Sequence, residues 1–363
     1  MKFKTIVLEK KHLFAICASI VLVCIGTGIA ISSEQQKTMA VFSQNAAVYD
    51  EILSEGLPQG EEKNFIKEIL DRLAGFDTQN PQSIITDKSP LFGEVKPTQV
   101  PTPEPQQAPE QPIYPQIADN AQYPTKSQIM GFSSVEVSNA TDYQINSREL
   151  IGSELNFEIK KDGSPQILIV HTHTTESYGE FGDRNTDNTK NVVAVGAEIK
   201  KVLEAEGIGV IHDITVHDYP SYQGAYTRAL ATITKNLNQY PDIKIILDIH
   251  RDGYVYPDGT KLTKTTTING ESTAQVMIVS GTDSMGLDNP NWRENLKLGS
   301  KIQSAASIMY PTLMRPINLR RERFNLHLTT GSLLLEVGAN GNSIEEAIRG
   351  GHYAAKAITA VIK

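Results

Sequence analysis

After residue 129, short apolar runs alternate with segments of helical spacing, and this rhythm restricts the possible folds more than any other feature. Residues 167–170, Ile-Leu-Ile-Val, offer no polar side and read as a strand covered on both faces. Val192, Val195, Ile199, Val202 and Leu203 then recur as one helical face that stops at Gly207. "IGVIHDI" reads as a second strand, and Tyr226, Leu230, Ile233 and Leu237 as a second helix. Residues 243–250, "IKIILDIH", make a third strand, bounded upstream by Pro241. "AQVMIVS" is a fourth, followed by a helix through Leu296, Ile302 and Ala306, and "SLLLEVG" at 332–338 is a fifth. Ser343 and Glu346 are spaced as a capping box that opens a last helix. The alternation specifies an α/β fold, a mostly parallel sheet with helices on both faces. Residues 129–363 are enough to enclose one such core.

The upstream third has a different texture. Residues 1–12 hold Lys2, Lys4, Lys10 and Lys11 against Glu9, and residues 13–32 carry no charge over twenty positions. At helical rise those twenty residues span roughly 30 Å, one bilayer core. Lysines before the apolar run predict a single-pass anchor in the cell membrane, with a cytoplasmic N-terminus and everything after it extracytoplasmic. A cleaved signal peptide is the alternative, but the run is long and no A-x-A site follows. Residues 33–80 read as a helical spacer, with Phe65, Ile66, Ile69, Leu70 and Leu73 forming its stripe. Residues 81–128 carry ten of the eighteen prolines, which predicts an extended tether rather than a core. Residues 129–363 are the expected catalytic domain.

Two bulk properties narrow the chemistry. The formal charge of −8 leaves no basic excess for nucleic acid. Both cysteines, Cys17 and Cys24, lie inside the apolar run, so the exported part has no thiol for catalysis, disulfides or metal binding.

Active sites of open α/β sheets gather at the carboxyl ends of the strands. The first strand ends in His171-Thr-His173-Thr-Thr-Glu176, the third in Asp248-Ile-His250-Arg251 and the fifth in Glu336-Val-Gly. Three of only eight histidines therefore fall at two strand ends. His173, Glu176 and His250 make a ligand set suited to Zn2+, two imidazoles and a carboxylate with a fourth position open. Glu336 is the expected proton acceptor and donor. Asp248, two residues before His250, is a candidate acceptor behind that ligand. By strand alternation His171 shares a face with His173, as a ligand or supporting donor, and Arg251 is placed to support the site or meet substrate. His12, His212, His217, His327 and His352 read as structural.

"ILIVHTHTTESY", "VHDYPSYQGAYTRA", "ILDIHRDG" and "LLLEVGANGNSIEEA" resemble the stage II sporulation protein P family of endospore-forming bacteria. The resemblance covers roughly residues 130–363, and the anchor and Pro-rich stalk match that family's layout. The family is similar to the zinc-dependent N-acetylmuramoyl-L-alanine amidases of type 3, onto whose motifs His173, His250 and Glu336 fall. Their third ligand is a Glu opening the following helix. The matching place here is near Thr189, and Glu176, in an HxxE arrangement, is the expected replacement.

The resemblance implies a Zn2+ enzyme that cleaves the amide between N-acetylmuramic acid and L-alanine in septal peptidoglycan during engulfment. Cleavage within peptide cross-links is a second implied activity. It also implies a membrane complex with the stage II sporulation proteins D and M. Two rivals use the same residues differently: a zinc carboxypeptidase acting on stem peptides, and a non-catalytic wall-binding ectodomain. The carboxypeptidase needs a fixed cation, for which Arg251, Arg320, Arg321 and Arg323 are available.

Overall fold

The computed structural model describes residues 117–363. In chain order the first elements are α1 (Lys126–Met130), β1 (Val137–Asn139), α2 (Ser147–Gly152), β2 (Pro165–Val170), α3 (Val192–Ala205), β3 (Gly209–His212) and α4 (Ala225–Gln239). Then follow β4 (Ile245–Asp252), β5 (Thr265–Ile268), β6 (Glu271–Ala274), β7 (Val276–Gly281), α5 (Trp292–Met309), β8 (Ile317–Arg320), β9 (Gly331–Ala339) and α6 (Ile344–Ile362). The expected anchor, spacer and most of the Pro-rich tether lie outside the described residues. No helix among the described residues is long and apolar enough to cross a membrane.

Seven strands form one sheet in the order β1-β8-β7-β9-β4-β2-β3. All neighbours are parallel except β7 and β9, which run antiparallel. The five apolar runs seen in the sequence became β2, β3, β4, β7 and β9. Strands β1 and β8 went unpredicted because three or four half-polar residues carry too weak a pattern. The hairpin β5–β6 was also missed. It turns at Asn269-Gly270, both with positive φ (53° and 85°), the residue pair that two-residue hairpin turns favour.

The strand side chains divide between two layers. Ile167, Ile169, Ile245, Leu247, Leu333 and Leu335 face α3, α5 and α6 in the main core. Leu168, Val170 and Ile246 face the other way, against Ile233 of α4 and Ile243. The period of two that sends neighbours to opposite faces explains why these strands read as continuously apolar. Burying each of these side chains contributes about 1.5–3 kcal/mol.

The domain begins earlier than residue 129. Ile117 and Ala121 pack against the main core. Tyr123 Oη donates to Glu206 at 2.6 Å, and Tyr310 Oη donates to Asp119 at 2.7 Å. Prolines up to Pro124 give this stretch the composition of the tether, which hid its attachment.

Helix α6 lies close to its neighbours because two glycines sit at the contact. A Cβ on Gly350 would stand 2.5 Å from the Ala274 carbonyl oxygen, and one on Gly351 2.7 Å from Val195 Cγ1. Backbone cannot rotate away as a side chain can, so Gly350→Ala should destabilise the domain by about 1–3 kcal/mol. Chemical denaturation should show a lower midpoint with an unchanged slope.

Candidate active site

Strands β2, β4 and β9 are neighbours in the sheet, and their carboxyl ends carry the expected residues side by side. His250 and Glu336 are direct register partners on β4 and β9. Glu336 lies inside β9, which continues to Ala339, rather than at its end. The backbone after β2 leaves the sheet at Val170 and turns, with the Glu176 amide donating to the His173 carbonyl at 3.1 Å.

The imidazole of His250 is buried between two carboxylates. Its Nδ1 stands 3.4 Å from Glu176 Oε2 and its Nε2 3.0 Å from Asp248 Oδ1. Burial alone would push this ring's pKa down, but Asp248 and Glu176 reverse the effect and hold it well above the usual histidine range. Burial likewise opposes ionisation of both carboxylates, and His250 overcomes it, holding each below its ordinary value. Asp248 does more than face His250. It accepts from the Thr172 amide at 2.8 Å and the Thr172 hydroxyl at 2.6 Å, tying the loop after β2 to β4.

His173 meets His250 edge-on, with ring centres 5.3 Å apart. Tyr222 stacks on it at 4.4 Å and 12°, and Tyr226 meets it edge-on at 5.5 Å. Burial lowers its pKa to about 4, and its Nδ1 is sealed from solvent without a hydrogen-bond partner. Glu336 is similar: burial, aided by Glu176 and Asp252, pushes its carboxyl up to about 8, and its Oε2 is buried with no partner. The phenol of Tyr226 is raised by burial and by nearby Asp248.

Two neutral or near-neutral orphaned groups beside a buried imidazole–carboxylate pair suit a cation. Around a tetrahedral ion with bond lengths of about 2.0–2.2 Å, two ligand atoms stand roughly 3.3 Å apart, close to the His250–Glu176 separation. Asp248 Oδ1 stands 3.0 Å from the opposite ring nitrogen, which has no hydrogen-bond partner within the domain. Among the described residues, no three His, Cys, Asp or Glu side chains are closed around a cation position as they stand. The donor types, two imidazoles and a carboxylate, are those that zinc takes, and His173 Nδ1 is without a partner.

Other expected residues fall differently. His171 does not share a face with His173, because alternation ends where β2 ends. Its Nδ1 lies 3.0 Å from the Ile249 carbonyl oxygen and its Nε2 2.8 Å from His212 Nε2, so both ring nitrogens are occupied away from the cluster. Arg251 supports Glu176 through its backbone amide at 3.1 Å, while its side chain donates to the carbonyls of Ser177 and Asp183. Thr189 Oγ1 donates to Asp187 at 2.7 Å in a local turn. His217 is structural, bonded to the His171 carbonyl and to Thr232. So is His352, paired with Glu198 at 2.8 Å.

Asp218 and Tyr222 carry no chemistry legible from local pattern, and Tyr226 reads in the sequence only as part of a helical face. Asp218 accepts from the Thr175 amide and hydroxyl and pairs with Arg184 at 3.1 Å, and Arg184 lies 4.3 Å over the Tyr222 ring. All three belong to "VHDYPSYQGAYTRA", a stretch whose length and aromatic content could have marked it as part of the site.

Fold and site together define an α/β protein with a histidine–carboxylate cluster at the carboxyl ends of adjacent parallel strands. The chain belongs to the stage II sporulation protein P family, whose model matches residues 79–359. It is 31% identical over 208 residues to stage II sporulation protein P of Bacillus subtilis, covering 52% of this chain and 49% of that protein. The chain thus spans about half the length of this curated relative. Among solved structures, it is similar at 14% identity to an N-acetylmuramoyl-L-alanine amidase of Nostoc punctiforme. That match covers 55% of this chain and 97% of the other, with a TM-score of 0.34. An amidase of Clostridioides difficile, solved in complex with a lipoprotein, matches at 14% identity over 54% of this chain and 94% of its own, with a TM-score of 0.32.

Asp248→Ala would leave the buried Thr172 amide and hydroxyl without their acceptor and His250 without a neighbour. The expected loss is about 3–5 kcal/mol, as for breaking a buried ion pair, and thermal unfolding of the variant beside the parent chain measures it.

Proposed function

We propose that this chain is a membrane-anchored zinc N-acetylmuramoyl-L-alanine amidase that thins septal peptidoglycan during sporulation engulfment. Family membership supports the sporulation setting. The observation that carries the chemistry is the placement of Glu336 as the register partner of His250, with a carboxyl of raised pKa and an orphaned oxygen beside the His250–Glu176 pair.

His173, Glu176 and His250 would hold the ion, with Asp248 orienting His250. When bound, zinc supplies Lewis acidity that polarises an amide carbonyl and makes water a nucleophile near neutral pH. Glu336 takes one proton from the attacking water as its oxygen adds to the lactyl carbonyl carbon. It returns that proton to the alanine nitrogen as the C–N bond breaks. The products are a lactyl carboxylate and a stem peptide with a free amino terminus, so one water is consumed and no redox partner is needed.

The carboxypeptidase alternative needs a cation free to hold a terminal carboxylate. Arg251 is committed to two carbonyls, Arg320 pairs twice with Glu322 at 3.0 Å, Arg321 faces Asp142, and Arg323 donates to the Asp288 carbonyl. Of the four, only Arg320 has its charge matched by a close carboxylate, so the products of wall digestion separate the two readings. Partnership with the sporulation proteins D and M, and anchoring through residues 13–32, complete the proposal.

Four outcomes test it. The purified chain should bind about one zinc by elemental analysis and lose wall-digesting activity with a chelator. Mass spectrometry of digested wall should find lactyl ends and intact released stems, whereas shortened stems would indicate a peptidase. Glu336→Gln should lower turnover about 10²–10⁴-fold with zinc retained, while His173→Ala loses zinc as well. Equal zinc loss in both would make Glu336 a ligand. The mature protein should also keep residues 13–32, and an N-terminus near Gln35 would show cleavage instead.

A further inference from the structure

Amide hydrolysis moves negative charge onto the carbonyl oxygen, and the cluster already holds Glu176, Asp248 and Glu336. A hydrogen-bond donor fixed beforehand is the economical way to stabilise that charge. The nearby guanidinium groups of Arg251 and Arg320 are engaged with carbonyls and with Glu322. One neutral donor stands in the same place.

Tyr226 sits in the first turn of α4 and is partly exposed. Its ring is held edge-on to His173 at 5.5 Å and lies 5.9 Å from Phe324. Its backbone carbonyl accepts from Asn325 Nδ2 at 2.8 Å. Its electrostatic neighbours are Asp248, Tyr222, Glu336 and Glu176. Tyr123, Tyr143, Tyr178, Tyr310 and Tyr353 each donate their hydroxyl proton to a protein acceptor. The fold holds the Tyr226 ring against His173 and Phe324, and among the described residues no protein acceptor takes its hydroxyl proton.

We propose that Tyr226 is a catalytic residue whose hydroxyl donates a hydrogen bond to the scissile carbonyl oxygen as it becomes an oxyanion. The inference rests on the amidase activity proposed above and assigns it a donor. No proton is transferred: the phenol keeps its hydrogen while water's oxygen adds to the carbon and Glu336 carries the proton to the leaving nitrogen.

The test uses the full chain in detergent, with Tyr226→Phe retaining the ring and removing only the hydroxyl. Turnover on a muramyl peptide should fall about 10²–10³-fold, the usual loss for one oxyanion donor, with KM and zinc content unchanged. Affinity for a phosphinate that mimics the tetrahedral intermediate should fall by a similar factor. Affinity for the intact amide, measured in a Glu336→Gln background, should not change. The melting temperature should also hold, since the hydroxyl makes no hydrogen bond within the domain. Parental turnover in Tyr226→Phe, a loss confined to KM, or a fall in melting temperature or zinc that accounts for the lost activity would overturn the assignment. An active parent with an unaffected variant removes Tyr226 alone, whereas a parent without amidase activity removes the proposed function and this role with it.

Discussion

The placement of His250 between Asp248 and Glu176 is the interaction on which the site depends. A buried imidazole would ordinarily lose its proton, and a buried carboxylate would ordinarily gain one. Here each group reverses the other's penalty, so three ionisable side chains stand together, two on β4 and one in the loop after β2. Asp248 extends the arrangement by taking two hydrogen bonds from Thr172, which fixes where the chain leaves β2 and therefore where His173 and Glu176 arrive.

The sheet makes this economical. Because β9, β4 and β2 are adjacent and parallel, their carboxyl ends lie side by side at one edge of the sheet. The register that pairs Leu247 with Leu333 and Ile249 with Leu335 in the core also pairs His250 with Glu336 just beyond it. Packing the apolar residues thus sets the positions of the polar ones. A slip of one residue would move the entire set to the other face.

The loop after β3 supplies what the strands do not. Asp218 holds Thr175 and Arg184, Arg184 covers Tyr222, and Tyr222 stacks on His173. With Tyr226 edge-on to the same ring, His173 is held on two sides by residues separated from it by some fifty positions. That framing lets a neutral, buried histidine keep an unpartnered nitrogen, which costs stability unless function requires it.

By itself the sequence determined the strands β2, β4 and β9 and the helices packed on them, because continuous apolar runs and helical stripes are local patterns. It also determined the cluster His173, Glu176, Asp248, His250 and Glu336 as candidates, since each stands at or near the end of a readable strand. Tertiary structure decided the rest. It turned β7 antiparallel to β9, a choice that leaves no mark on an apolar strand buried on both faces. It left His171 on the α3 side with Ile167 and Ile169, against His212, and turned His173 away from it, because alternation stops once the backbone leaves the sheet. It joined residues 117–128 to the domain through Asp119 and Tyr123. It also set Tyr222 and Tyr226 against His173, a pairing that arises only when α4 closes over the sheet. Contacts between residues far apart in sequence depend on how the layers pack, and no local pattern encodes that packing.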